Sequence, residues 1–194
     1  MAFTRTLIPS SILRALQALF GIIVLGLSVT LIRGHNPLHW TISKLPTLLP
    51  FAAAIGGLTI AGALVGFVLS WTEFLRGFFE ILLDIAVLLA NLVGGVLIAI
   101  RLKGKNCYDE SDRNRVGNRG YPFKGSLGSI DILNGGCTEK NGVGICYYAS
   151  WADQEAKLNT RCRQSQANSV FMFLTVVVLF AGLTLTYLRI KRTH

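Results

Sequence analysis

Three uncharged apolar runs, at 15–32, 48–72 and 164–188, and a fourth at 78–100 broken by Glu80, Asp84 and Asn91 constrain this chain more than any other feature. Each is near or above the roughly 20 residues that cross about 30 Å of hydrocarbon at 1.5 Å per residue. Composition agrees: 52% of residues are hydrophobic and 15% charged, with a mean hydropathy of +0.51. A soluble domain carries about a quarter charged residues. The chain therefore reads as an all-α membrane protein, a bundle of four transmembrane helices forming one domain over residues 1–194. The expected helices run over about 12–33, 48–71, 75–101 and 164–189. A sizeable loop, 102–163, separates the third from the fourth.

Arg5 and Arg14 before the first run also suit a cleaved signal peptide. That run is longer than the roughly 7 to 15 residues of a signal's apolar core and ends in Leu-Ile-Arg rather than small residues, so it reads as a retained helix. The net charge of +9 does not indicate nucleic acid, because the basic residues are scattered over membrane flanks and a loop of mixed charge. It serves orientation instead. Arg5, Arg14, Arg76, Arg189, Lys191 and Arg192 fall on one side of a four-span topology, against Arg33 and Lys44 in the short loop opposite. The positive-inside rule then puts both termini in the cytosol and the long loop outside. Arg189, Lys191 and Arg192 are candidates for anionic lipid headgroups, at about 1 kcal/mol each.

Cys107, Cys137, Cys146 and Cys162 all lie in the long loop. An even number on an exoplasmic segment implies disulfides. Zinc is the rival, but the spacing matches no metal-binding knuckle, and the loop has no histidine. Within the loop, SIDILNGGCTEKNGVGICYYAS sets two short apolar runs among Asn-Gly pairs, a pattern that suits a small β-hairpin clipped by Cys137 and Cys146. Cys107, just past the third helix, is then left for Cys162, just before the fourth. Ser150 is a candidate N-cap, with Asp153 and Glu155 in the first turn, for a fourth helix that starts well outside the membrane.

The second span, FAAAIGGLTIAGALVGFVLS, places Ala53, Gly57 and Ala61, and again Gly62 and Gly66, at four-residue spacing. Such rows let helix backbones approach closely, within the bundle or across a homo-oligomer contact. In the third span Glu80, Asp84, Asn91 and Gly95 share roughly a 60° arc. Facing lipid, an Asp at the centre would cost about 2.5 to 3.5 kcal/mol, so this stripe is expected to face the bundle interior or a partner. Glu80, near the membrane edge, is placed to snorkel or to pair with Arg76. Asp84 is a buried packing contact or a functional site; with Lys, Arg and His absent from the four apolar cores, it has no base as a relay partner.

Enzyme chemistry finds no support. His35, His39 and His194 are the only histidines, Pro37 breaks any helical pairing of the first two, and no phosphate loop, nucleophile elbow or metal-ligand set occurs. No catalytic residue, cofactor or metal is expected.

The segment LNTRCRQSQANSVFMFL (158–174), together with Leu83-Asp84 in ILLDIAVLLANLVGGVLIAIRLKGKNC (81–107), resembles the fungal MARVEL-domain proteins of the non-classical export and eisosome-associated family. Asp84 inside the third helix, Cys107 after it, and the segment 160–167 leading into the fourth match that family's pattern. The resemblance implies a non-enzymatic tetraspan that organises plasma-membrane microdomains, responds to sphingolipid or sterol, accompanies eisosome-type membrane proteins and is linked to unconventional secretion. The long loop with its extra pair Cys137 and Cys146, and the short basic C-terminal tail, depart from the family. A small transporter or channel subunit using Asp84, and a trafficking or adhesion tetraspan, are the other functional classes the residues admit.

Overall fold

Inside hydrocarbon a backbone must satisfy its own hydrogen bonds, which leaves the helix as the form available to a run of 20 apolar residues. The computed structural model describes residues 2–35, 45–71, 78–117, 125–140, 143–150 and 152–193. The elements are α1 (Ala2–Arg33), α2 (Leu48–Trp71), α3 (Phe78–Leu102), α4 (Asp112–Arg115), a 3-10 turn (Leu127–Ser129), β1 (Cys137–Lys140), β2 (Val143–Cys146) and α5 (Ala152–Thr193). Among the described residues four helices are long and apolar enough to cross a membrane, over Pro9–Arg33, Leu48–Leu69, Phe79–Leu102 and Gln154–Leu188. Of the Trp71-to-Gly77 connection between the second and third helices, residues 72–77, with Arg76, lie outside the described residues.

Two compact units divide the chain: residues 1–26, 52–96 and 169–194 form the first, and residues 27–51 and 97–168 the second. In the first, helix contacts close a ring. A Cβ on Gly56 would sit 2.7 Å from Leu25 N, so α1 and α2 meet backbone to backbone. One on Gly94 would lie 2.6 Å from Ile55 Cδ1 of α2 and 3.1 Å from Met172 Sδ of α5. Ser169 Oγ donates to Gly95 O of α3 (2.9 Å), and the rings of Phe20 and Phe171 join α1 to α5 at 5.7 Å. Val24, Ile55, Val87, Met172 and Leu179 fill the centre. Leu64, Val68, Leu82, Val177 and Phe180 stay exposed, as apolar residues facing lipid should.

One expectation for α2 is corrected. Gly57 meets nothing within 4 Å and Ala61 is exposed, so the row Ala53, Gly57, Ala61 is not the packing face. Close approach falls one residue earlier, on Gly56, because the buried face of α2 follows Ala52, Ile55, Thr59, Gly62 and Gly66.

The second unit is organised by the first turns of α5, which begins at Ala152, well ahead of the apolar run at 164–188. Its extra turns are helical because Leu158 and Cys162, one turn apart, enter a core with Leu31, Leu49, Leu127, Ile130, Leu133 and Tyr148. Disulfides join Cys107 to Cys162 and Cys137 to Cys146, so the four cysteines are paired with one another. The hairpin is antiparallel with Cys137 opposite Cys146 and Lys140 opposite Val143; its Asn141-Gly142 turn lies outside the described residues. At the earlier Asn-Gly pair, Gly135 takes φ 74° and Gly136 φ 100°, and Asn134 Oδ1 accepts the Gly136 N–H at 3.0 Å. Ser150 Oγ accepts from Cys146 N (3.0 Å), so its hydroxyl serves the hairpin.

A buried arginine ties this unit together. Arg161, 5% exposed, donates to Leu31 O (3.1 Å), Ile132 O (3.1 Å) and Leu133 O (2.9 Å), with its guanidinium 5.0 Å from the Tyr148 ring centre. Next to it, Asn159 donates to Cys107 O and Asp109 O and accepts from Arg115 Nε at 2.6 Å. Burial pushes the Tyr148 phenol above its ordinary value, against the opposing pull of Arg161. The unfolded chain ionises first, so this contribution to stability is present at neutral pH and is lost as pH rises through the raised value. In an alkaline titration followed by tyrosinate absorbance, Tyr148 is expected to ionise together with loss of the unit's fold; ionisation of Tyr148 while the fold persists would contradict this.

Candidate functional site

The polar stripe on α3 is buried, with Glu80 6%, Asp84 1% and Asn91 0% exposed, and Gly95 also buried. Its counterpart is Arg14 of α1, 7% exposed. Arg14 grips Asp84 bidentately, Nη1 to Oδ1 at 2.5 Å and Nη2 to Oδ2 at 2.7 Å, and Nη2 also reaches Glu80 Oε1 at 2.8 Å. Two charge-assisted bonds in a planar fork make this the strong form of an ion pair. The expectation that no cation enters the apolar cores is thereby corrected. Arg14 is part of the helix bundle rather than a cytosolic flank, and Glu80 uses Arg14; Arg76, its expected partner, lies outside the described residues.

Neighbouring side chains continue the network inward. Gln17 Oε1 accepts from Arg14 Nη1 (2.9 Å), and Gln17 Nε2 donates to Thr59 O of α2 (3.4 Å). Asn91 Nδ2 donates to Thr59 Oγ1 (2.8 Å) and to Val87 O (2.9 Å), while Thr59 Oγ1 donates to Ile55 O. Of the three glycines of α2 named from sequence, Gly62 and Gly66 border this network, in different ways. A Cβ on Gly62 would lie 3.1 Å from Val87 Cγ2, an α2–α3 contact, whereas one on Gly66 would lie 2.5 Å from Arg14 Cζ. Gly66 thus opens the space through which a guanidinium rooted on α1 reaches α3. A cleft of about 130 Å³ beside Arg14, between Ala15 and Ala18 of α1 and Ala63 and Leu64 of α2, is almost wholly apolar.

This arrangement holds helices. Both oxygens of Asp84 accept from Arg14, and the cluster links α1 to α3, with α2 joined through Gln17 and Thr59. Of the remaining sequence candidates, Lys191 is exposed on the last turn of α5, the side chains of Arg189 and Arg192 are not among those described, and His39 and His194 lie outside the described residues. Sequence reasoning missed Arg14 and Arg161. A signal for Arg14 existed: Arg14, Gln17, Gly21, Val24, Ser28 and Leu31 recur at alternating three- and four-residue steps, and every one is buried.

Four membrane-spanning helices closed around a polar contact define a tetraspan membrane protein. The family of the MARVEL membrane-associating domain matches residues 6–185, and the chain belongs to that family. No curated protein and no solved structure matches the chain.

Proposed function

We propose that this MARVEL protein is a non-enzymatic organiser of plasma-membrane microdomains, with both termini cytosolic, associated with eisosome-type proteins, responsive to sphingolipid and linked to unconventional secretion. The observation that carries the reading is the bidentate capture of Asp84 by Arg14. A transported cation would need that carboxylate; here it fixes helix packing instead, which favours a scaffold over a transporter or channel subunit. The resemblance of residues 158–174 and of Leu83-Asp84 to the export and eisosome-associated proteins supports the finer assignment.

The test is imaging of a fluorescently tagged chain in live fungal cells before and after sphingolipid depletion. Stable surface patches that disperse on depletion are expected, with Asp84→Asn weakening patches in proportion to its loss of stability. A uniform or internal distribution unchanged by depletion would count against the organiser, and ion flux through proteoliposomes abolished by Asp84→Asn would restore the transporter.

A further inference from the structure

We propose that exposed cations around the base of the second unit, Arg33, Arg101, Lys103 and Arg163, form a binding surface for the phosphate of anionic membrane lipids. The inference rests on the lipid-organiser reading and assigns it a surface on the second unit.

The core of the second unit gathers these residues. Leu31, Ile32, Leu102, Cys107 and Cys162 pack in one apolar cluster. Arg33 follows Ile32, Arg101 and Lys103 flank Leu102, and Arg163 follows Cys162 and donates Nε to Cys107 O at 3.3 Å. Arg33, Arg101 and Lys103 are exposed, and the Arg163 side chain is 45% exposed. Three helices therefore present cations around one small core.

Charge around them is not balanced. Glu110 is shared between Arg115 (3.5 Å) and Arg163 (3.8 Å), and among the described residues Arg33, Arg101 and Lys103 form no salt bridge. Helix dipoles account for cations in a last turn, where Arg33 and Arg101 sit. They do not account for Lys103, beyond the end of α3, or for Arg163, inside α5. In the proposed topology this surface is exoplasmic, the side on which unpaired cations at span ends are disfavoured.

Depth and surroundings select a lipid as the occupant. Arg33 ends one apolar span and Arg101 and Lys103 bracket the end of another, which is the level of headgroups. Directly before Arg101 on α3, Leu97 and Ile100 are 41% and 62% exposed, a strip on which an acyl chain can lie below its phosphate. Tyr108, 68% exposed with the Arg163 guanidinium 4.7 Å over its ring, adds an amphipathic aromatic of the kind enriched at membrane interfaces.

The probe is phosphatidylglycerol, as a minor component of phosphatidylcholine nanodiscs holding the full chain, with retained lipid counted by native mass spectrometry after transfer to detergent. Arg101→Gln with Lys103→Gln is expected to lower retained phosphatidylglycerol by about tenfold or more, from roughly fivefold per surface cation. Retained phosphatidylcholine should stay unchanged. The tail variant Arg189→Gln, Lys191→Gln, Arg192→Gln serves as comparison and should keep most of this pool. Lys103→Gln alone, an exposed substitution past a helix end, should lose about fivefold and keeps the test decisive if the double variant misfolds. Equal phosphatidylglycerol retention in wild type and Lys103→Gln, or an equal fall in both lipids, would overturn the proposal. Because this readout needs no cellular patches, failure of the imaging test and failure of this one are separable.

Discussion

Replacing Arg14 with alanine is expected to destabilise the first unit by about 3 to 5 kcal/mol, because it leaves Asp84 and Glu80 buried together with no cation from α1. Loss of either acid alone should be milder. Asp84→Asn removes the bidentate pair but leaves Glu80 on Arg14, whereas Glu80→Gln keeps the bidentate pair intact. The order of destabilisation is therefore Arg14→Ala, then Asp84→Asn, then Glu80→Gln, read as the midpoint of thermal unfolding in detergent. Gly66→Ala should resemble the Arg14 variant in kind, since its methyl would occupy the space of the guanidinium. If Glu80→Gln proved the most damaging, Arg14 would not be the residue that balances this cluster.

Cys162→Ser is expected to produce the second large effect, confined to the second unit. The Cys107 to Cys162 bridge closes a separation of 55 residues, for which chain entropy predicts about 4 kcal/mol, against roughly 2 to 3 for the 9-residue separation of Cys137 and Cys146. Both bridging sulfurs belong to buried residues, so the variant also leaves a hydroxyl and a free thiol inside the core. Limited proteolysis of the intact chain should cut within 107–161 far faster in Cys162→Ser than in Cys137→Ser with Cys146→Ser. Equal rates would mean that Arg161 and Asn159 hold the unit without the bridge.

The spans and the loop were legible because they rest on strong local signals: length, apolarity and the confinement of four cysteines to one segment. The acidic stripe was legible as a stripe, since Glu80, Asp84 and Asn91 fall on one helical face, but its partner was not. Arg14 stands one residue before an uncharged run, and cutting the span at the first charge placed it with the flanking cations. Continuing the three- and four-residue steps backward from Leu31 would have brought Arg14 into the buried face. The glycines of α2 show the opposite failure. Four-residue spacing is present in two registers one step apart, and only the neighbours, Gly21 on α1 and Arg14 below it, determine that Gly56 and Gly66 are used and Gly57 is not. Arg161 lies within the segment 160–167 that carries the family resemblance, but its packing role is not legible there, because its partners are backbone carbonyls of Leu31, Ile132 and Leu133, and carbonyls leave no trace in residue identity.

The intramembrane acid of α3 is consumed by a helix-packing bond to α1. The most direct measurement is a charge exchange, Arg14→Asp with Asp84→Arg, set beside each single variant in one cycle of thermal unfolding. Each single change should be strongly destabilising, and the double variant should recover a large part of the loss, since a guanidinium on α3 can again meet a carboxylate on α1. Losses that simply add in the double variant, with no recovery, would contradict the account.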